Sequence, residues 1–173
     1  MTKIVEQCLA RLGLFGAAVA LGCVVAGCQS HSAPTTVGPP PAESAKPIDV
    51  CSMLAPQDVS NVLGVSVPAK SAGTDPQMGS CTWENPTTEE SVSVEIGNPG
   101  TARNNTLPPP EAGFPDATTP GPDGMRLMGG GQVEFAAGDR SNTVQVAVLK
   151  LSGDQANSAA IDLARKITPK VPQ

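Results

Sequence analysis

The stretch Val92-Ser93-Val94-Glu95-Ile96 decides the fold class, because its apolar and polar residues alternate with a period of two. The stretch Val144-Gln145-Val146-Ala147-Val148 places apolar residues at the same spacing. Alternation of this kind is typical of antiparallel strands with one covered face and one face in water. We therefore expect a small antiparallel sheet at the centre of the fold.

Strand-like segments on both sides of these stretches predict a sheet of about four to six strands. The segments are residues 65–67, 80–84, 92–96, 126–128, 132–136 and 143–151. Turn-forming residues predict hairpin connections at 86–90 and 138–142. Residues 97–124 form a long connection rich in Pro, Gly, Asn and Thr, and a connection of that length is usually either disordered or functional.

One helix is predicted before the first clear strand and another after the last. The first begins at Pro56 and ends at Gly64 after about two turns, although Ala55 supplies no side-chain cap. The second follows Ser152 and stops at Pro169, and its apolar residues recur at helical spacing: Ala156, Ala159, Ala160, Leu163, Ala164 and Ile167. We expect an α+β fold with both helices packed on one face of the sheet and one disulfide.

The first 27 residues have the order of a bacterial export signal. Lys3 and Arg11 are followed by residues 12–25, an uncharged apolar run that is shorter than the roughly twenty residues of a bilayer span. The run closes in Val25-Ala26-Gly27-Cys28, which matches the lipobox of bacterial lipoproteins. We expect a signal peptide at 1–27 and acylation of Cys28, with chains such as palmitate, as a lipid anchor on the extracytoplasmic face of the cell membrane.

Two alternatives to this anchor remain. Cys23 also follows small residues, but the bulky Leu21 lies two positions before it, which fits the lipobox less well. The other alternative is an unmodified Cys28 at the end of an ordinary apolar segment.

The residues after the lipobox predict a tether. Residues 28–47 are rich in Ser, Thr, Ala and Pro, including Pro39-Pro40-Pro41, and show no apolar periodicity. Such a segment buries too little surface to fold, so we expect a disordered tether with a reach of up to roughly 60 Å. Thr35 and Thr36 are either plain tether residues or sugar acceptors. The folded extracytoplasmic domain is predicted at residues 48–171.

The cysteines predict one disulfide. Cys8 and Cys23 leave with the signal peptide and Cys28 is acylated, so only Cys51 and Cys81 remain in the exported domain. Two thiols in an oxidising compartment are expected to pair. The bridge closes a loop of about thirty residues and contributes on the order of 3 to 4 kcal/mol. A metal or redox role is less favoured, because no third ligand and no Cys-x-x-Cys spacing is present.

The charge of the exported chain excludes one class of partner. Removal of residues 1–27 leaves nine basic and fifteen acidic residues, a net charge of −6. The basic residues are scattered, and only Arg165 and Lys166 are adjacent. Because tracking a phosphate backbone requires clustered Lys and Arg, we expect no nucleic-acid partner. The acidic surface also argues against direct adhesion of the domain to anionic lipid.

The sequence contains few residues suited to catalysis. The one histidine, His31, lies in the predicted tether, which excludes Ser-His-Asp and Cys-His mechanisms. Lys70 and Lys150 lack a Ser-x-x-Lys partner. Glu89 and Glu90 are adjacent, so they point to opposite faces or to water instead of facing each other across a cleft. We expect no enzyme activity.

Motifs for metals and cofactors are incomplete as well. Asp116 and Asp123 lack the spacing of a calcium loop, and Gly129-Gly130-Gly131 lacks the Lys and Ser/Thr of a phosphate loop. Trp83 is expected to pack over the disulfide, with a ligand surface as the alternative. Three methionines suit core gaps better than copper capture: Met78, Met125 and Met128. We expect no cofactor and no metal.

Three motifs carry a resemblance to a known family. They are Val50-Cys51-Ser52-Met53-Leu54-Ala55-Pro56-Gln57-Asp58-Val59, then Val62-Leu63-Gly64, and then Gly79-Ser80-Cys81-Thr82-Trp83. Together they resemble the actinobacterial, mycobacterial-type lipoprotein family of domain-of-unknown-function 3558, over roughly residues 49–166. Ala55 and Met53 depart from the family's usual Thr and Leu. The resemblance implies an envelope lipoprotein with Cys51 and Cys81 paired, and it implies no activity.

These observations predict a membrane-anchored binding or interaction module of the cell envelope. Its partner would be an envelope protein, a glycan or a lipid, bound by the sheet surface and the loop at residues 97–124. The alternative is a carrier of an apolar small molecule or lipid in a cavity between helix and sheet. Small residues such as Ala156, Ala159 and Ala160 either make room for such a cavity or allow close packing.

Overall fold

The computed structural model describes residues 47–73, 75–113 and 115–173, all within one compact unit, Pro40–Gln173. The predicted signal peptide at 1–27, the predicted lipidation site Cys28, His31 and residues 28–46 of the predicted tether lie outside the described residues. Among the described residues, no helix is both long and apolar enough to cross a membrane.

Seven antiparallel strands form one sheet in the order β1-β2-β3-β7-β6-β5-β4. Their bounds are Ala69–Ala72 (β1), Gly79–Glu84 (β2), Ser91–Ile96 (β3), Thr119–Pro120 (β4), Arg126–Gly129 (β5), Gln132–Ala137 (β6) and Arg140–Ala147 (β7). The antiparallel sheet is confirmed, but the predicted number of four to six strands is too low. The additional strand is β4, a two-residue edge strand inside the long connection that pairs with β5.

The predicted strand at residues 65–67 is wrong. This segment does not pair, and the ladder with β2 begins instead at Ala69, opposite Trp83. The intervening Pro68 has no backbone N–H to donate to a ladder, so it marks a natural boundary before the strand. Val67 packs partly against the core although it lies outside the sheet.

The hairpin after β6 is tighter than predicted. Residues 85–90 join β2 to β3, close to the predicted connection at 86–90, but only Gly138 and Asp139 join β6 to β7. Their φ angles of 62° and 56° are both in the left-handed region, as a two-residue type I′ turn requires. As a result β7 starts at Arg140, earlier than the predicted strand at 143–151. It also ends earlier, at Ala147, before a turn at 149–150.

Both helices form where the sequence predicts them. Helix α1, Pro56–Leu63, has Pro at its first turn, no side-chain cap from Ala55, and Gly64 as its C-cap with φ 75°. Helix α2, Gly153–Ile167, begins with a capping box that sequence analysis missed. In this box the Gln155 N–H donates to the Ser152 hydroxyl (3.3 Å), and the Ser152 N–H donates to Gln155 Oε1 (2.9 Å).

One apolar cluster forms the core. It contains alternate residues of the central strands: Val92, Val94, Ile96, Val133, Phe135, Val144 and Val146. Buried residues of the helices belong to the same cluster: Val59, Leu63, Ala156, Ala160, Leu163, Ala164 and Ile167. Helix α2 contacts β6 and β7, and α1 contacts β3.

The predicted disulfide between Cys51 and Cys81 is confirmed, with an S–S distance of 2.05 Å. It joins the short 3-10 turn Val50–Met53, which precedes α1, to strand β2. Trp83 lies two residues after Cys81 on the same side of β2 and is buried, as expected of a core residue. The bridge therefore ties the N-terminal turn to the apolar side of the sheet.

Candidate interaction surface

The side of the sheet opposite the apolar core carries mostly polar side chains. We call it the polar face, and define it by eight residues of the four central strands: Ser80, Thr82, Ser93, Glu95, Gln132, Glu134, Thr143 and Gln145. Every one of them alternates with a buried core residue on the same strand. The face is at least partly open to solvent across its width, with Glu95 and Gln145 exposed.

The strand register arranges these side chains in rows. One row crosses the sheet from Thr82 through Ser93 and Gln145 to Gln132, one residue per strand. Neighbouring strands lie about 4.8 Å apart, so hydroxyl and amide groups follow one another at regular intervals. Among the described residues Glu95 makes no ion pair, whereas Lys70 at the edge lies 3.8 Å from Glu84. The surface is therefore rich in hydrogen-bonding groups and weakly acidic.

The described part of the connection between β3 and β4 contacts the β6–β7 turn, Ser141 and Arg126. Strand β3 ends in the middle of the sheet and β4 lies at its far edge, so the connection passes β7, β6 and β5 on the way. Its first part is held at the start of β7: the N–H groups of Gly100 and Ala102 donate to the Asp139 carbonyl (2.9 and 3.1 Å). The Ser141 N–H donates to the Thr101 hydroxyl (2.8 Å), and Ala102 is buried.

A second contact holds the connection by a reciprocal pair of hydrogen bonds. The backbone N–H of Asn105 donates to the Asp139 carboxylate (3.2 Å), and the backbone N–H of Asp139 donates to the Asn105 amide oxygen (2.9 Å). Both residues have positive φ, a conformation that Asn and Asp tolerate better than most residues. The β6–β7 turn therefore anchors the loop through hydrogen bonds.

A third contact comes from the polar side of β5 and β6. Arg126 Nη2 donates to the Pro108 carbonyl oxygen (2.5 Å), while Arg126 Nη1 lies 3.1 Å from Glu134 Oε2. The other Glu134 oxygen accepts from the Ser141 hydroxyl (2.5 Å).

Farther along the connection, the Thr118 hydroxyl and N–H donate to Asp116, which lowers the pKa of that exposed carboxyl. Hydrogen bonds thus hold the described residues of the long connection at several points.

Arg140 lies at the end of the sheet at which this loop begins. It is only 5% exposed, and it donates to the backbone carbonyls of Gly97 (2.7 Å), Pro172 (3.2 Å) and Gln77. Among the described residues no carboxylate lies within ion-pair distance of its guanidinium. Sequence analysis missed this role, because the three carbonyls come from segments that are distant along the chain.

The buried Asn142 completes the same end of the sheet. Its amide nitrogen lies within hydrogen-bonding distance of the Ala137 and Arg140 carbonyls (3.2 and 3.0 Å), and its amide oxygen accepts from the Gly97 N–H (3.3 Å). Because the Gly97 carbonyl also accepts from Arg140, the first residue of the loop is held through both its N–H and its carbonyl. The sequence prediction did not identify this role, because it places residue 142 in the hairpin connection at 138–142 and not in a strand.

The residues considered for catalysis are separate in the structure. Lys150 Nζ donates to the Leu63 carbonyl at the end of α1 (3.4 Å), and Lys70 faces Glu84. Glu90 accepts from the Leu149 N–H (3.0 Å), whereas Glu89 is exposed in the turn. The structure brings none of these lysines and glutamates together in a common cleft.

The residues considered for metals are also dispersed. Asp123 pairs with Arg165 of α2 (2.8 Å), which raises the pKa of that guanidinium, and Asp116 belongs to the local turn described above. Met125 is buried in the core, Met128 is exposed on β5, and Met78 precedes β2, which three strands separate from β5. Among the described residues, no group of three His, Cys, Asp or Glu side chains is placed to hold a metal ion.

Surface cavities lie mainly beside the helices. Among the described residues, a groove of about 480 Å³ lies between α1 and α2, lined by the apolar Val62, Ala159 and Leu163 and by charged residues that include the Asp58–Lys166 pair (2.5 Å). The Lys166 ammonium, by this hydrogen bond, lowers the pKa of Asp58. Smaller cavities measure about 320 Å³ beside Lys170 and about 190 Å³ beside Phe135.

Comparison of the chain with protein-family models, with curated proteins and with solved structures found no match.

Proposed function

We propose that the protein is a lipoprotein of the cell envelope whose domain binds a partner and catalyses no reaction. The lipobox ending at Cys28, the apolar run before it and the Pro-rich residues after it support the lipid anchor on the extracytoplasmic face of the cell membrane. The Cys51–Cys81 bridge supports an oxidising compartment. The motifs around these two cysteines support membership of the lipoprotein family that the sequence resembles.

We further propose that α1 and α2 cover the same, apolar face of the sheet and leave the polar face for binding. The membership of buried residues from both helices in one cluster with the core residues of the strands supports this arrangement. A sheet with one solvated face is a common antiparallel architecture. The partner is an envelope protein, a glycan or a lipid.

The observation that carries the proposal is the ordered loop beside the polar face. Three separate contacts, from Asp139, Ser141 and Arg126, hold residues 97–108 in place. Ordering an exposed loop costs conformational entropy. Burial offsets little of that cost here, because most side chains of residues 97–108 remain exposed. A pre-ordered surface loop on a rigid scaffold is the usual form of a binding site.

Site-specific photo-crosslinking in intact cells tests this function. A photoreactive amino acid replaces Gln145, an exposed residue at the centre of the polar face, and in a matched control it replaces Gln57, an exposed residue of α1. We expect adducts of discrete mass from position 145 and none from position 57. Equal labelling at both positions, or none at 145, would contradict a binding role for the polar face.

The helix–helix groove favours a second candidate function, the carriage of an apolar small molecule. Its volume of about 480 Å³ and its apolar lining residues are within the range of ligand sites. The sequence predicts such a cavity between helix and sheet. At that position Ala156 of α2 lies close to Gly131, because a Cβ atom added at Gly131 would be 2.9 Å from the Ala156 Cβ. The groove is therefore the better location.

Native mass spectrometry of the full chain tests the carrier. A carried molecule gives an adduct of constant mass that is lost in Ala159→Trp, which fills the groove, and retained in Ser158→Trp, on the exposed side of the same helix. Absence of the adduct from the unsubstituted protein, or its persistence in Ala159→Trp, would reject this candidate.

A further inference from the structure

The long loop presents three consecutive prolines to solvent. Residues 107–110, the proline segment, read Leu107-Pro108-Pro109-Pro110, and the three prolines are exposed outside any helix or strand. A proline ring fixes its own φ, and a residue that precedes proline is confined to extended or polyproline II backbone. Leu107, Pro108 and Pro109 all precede a proline. The segment is therefore extended and has little conformational freedom.

The structure fixes this segment at its start. Thr106 enters it with extended backbone (φ −123°, ψ 125°), and its N–H donates to the Arg103 carbonyl (3.2 Å). Immediately before, Asn105 is held by the reciprocal hydrogen bonds with Asp139. The Pro108 carbonyl then accepts from Arg126.

Arg126 is itself held in place. Its ion pair with Glu134 is mostly shielded from water, since the two side chains are 20% and 16% exposed, and Glu134 is fixed by Ser141. A shielded, hydrogen-bonded pair therefore positions an exposed segment. The prolines lack N–H groups, and among the described residues no backbone donor reaches the carbonyls of Pro109 and Pro110.

We propose that the proline segment is a ligand for a partner protein with an aromatic-lined groove. This inference rests on the proposed binding function and deepens it by naming the partner's chemistry. Aromatic grooves pack against proline rings and donate hydrogen bonds to the free carbonyls of extended proline-rich chains. The segment is already ordered, so it loses little entropy on binding. Glu111, exposed directly after it, suits a basic rim on the groove.

The test uses a ¹⁵N-labelled WW domain as a probe with an aromatic groove, titrated with the full chain in detergent. We expect the indole N–H signals of the groove to shift with added protein. The triple substitution P108A/P109A/P110A abolishes the shift. Arg126→Gln releases the Pro108 carbonyl and weakens binding by roughly three- to tenfold, because the segment is then ordered only on binding.

Two matched controls isolate the segment. P39A/P40A/P41A removes the other run of three prolines in the chain, and Lys70→Gln removes a cation at the edge of the sheet that touches no part of the loop. Both variants are expected to bind the probe like the unsubstituted chain.

The outcomes separate this inference from the function on which it rests. Absence of a shift at about 1 mM protein, or a loss caused by P39A/P40A/P41A alone, overturns the proline ligand. If crosslinks still form from position 145 in that case, the binding function stands without it. If neither signal appears, both proposals are rejected. Unchanged affinity in Arg126→Gln overturns the role of the arginine in ordering the segment.

Discussion

Asn105 and Asp139 exchange two hydrogen bonds between a side chain and a backbone N–H, at 3.2 and 2.9 Å, although 34 residues separate them. The pair joins the tip of the β6–β7 turn to the long loop that borders the polar face. Because both residues occupy left-handed backbone, the contact depends on the type of each residue as well as on its position.

Substitution of Asp139 tests whether this clamp, the reciprocal pair of hydrogen bonds with Asn105, orders the loop. Asp139→Gly keeps a residue suited to positive φ but removes the carboxylate, so we expect faster hydrogen exchange at the Asn105 N–H. The amides of Gly100 and Ala102 should stay protected, because they donate to the backbone carbonyl of residue 139. Asp139→Asn keeps a side-chain oxygen acceptor and is expected to retain protection. Equal exchange at Asn105 in all three proteins would show that the clamp does not order the loop.

Removal of the disulfide tests the account of stability. We expect C51A/C81A to lower the free energy of unfolding by about 3 to 4 kcal/mol, since the bridge spans 30 residues and restricts the unfolded chain. Urea unfolding of both proteins measures the difference. A loss below about 1 kcal/mol would mean that the core alone supplies the stability.

Arg140→Met tests whether the buried guanidinium organises the end of the sheet. Methionine has similar length but leaves the carbonyls of Gln77, Gly97 and Pro172 without their donor, so we expect a loss of about 3 kcal/mol in the free energy of unfolding. Arg140→Lys restores only part of this loss, because an ammonium does not reach three separated carbonyls as the planar guanidinium does. An unchanged free energy of unfolding in Arg140→Met would mean that these hydrogen bonds contribute no net stability.

Two neighbouring glycines provide a matched pair of substitutions. A Cβ atom at Gly131 would lie 2.3 Å from the Val146 carbonyl oxygen, whereas one at Gly130 would meet nothing within 4 Å. Both have positive φ, so alanine is strained at each, but only Gly131→Ala must also displace the backbone of β7. We expect Gly131→Ala to lower the melting temperature clearly more than Gly130→Ala. The reverse order would contradict the packing of this hairpin.

The Asp58–Lys166 pair predicts a pH-dependent contribution to stability. The pKa of Asp58 is lowered from 3.8 in the folded protein, so the pair stabilises the fold above pH 3.8 and loses its contribution as the pH falls through the folded pKa. Because the pair is partly exposed, Asp58→Asn is expected to cost less than about 1 kcal/mol at pH 7. In urea titrations at several pH values, the difference between the two proteins should disappear in strong acid. A difference that persists there would assign the effect to packing.

The sequence predicts the parts of this fold that depend on local pattern. The alternation in β3 and β7 and the limits of α1 at Pro56 and Gly64 need no knowledge of distant contacts. The pairing of Cys51 with Cys81 was predicted from the number of cysteines left in the exported domain. The capping box was also readable, since Ser152 and Gln155 have its spacing, but it was overlooked.

The parts that were wrong or missed depend on tertiary contacts. Strand β4 consists of two residues that are extended only because β5 lies beside them, and Ala69 rather than Val65 meets β2 because the ladder starts after Pro68. The candidate surface was predicted only as a loop and a sheet. Its order depends on Arg126 and Asp139, whose partners are 18 and 34 residues away.

The membrane anchor is the claim on which the proposed function depends, and intact mass spectrometry of the protein isolated from its own membrane tests it most directly. The account predicts a chain that begins at Cys28, carries the mass of attached acyl chains, and gains two hydrogens when the Cys51–Cys81 bridge is reduced. A chain that begins at an unmodified Met1, with no mass change on reduction, would contradict the anchor and the compartment together.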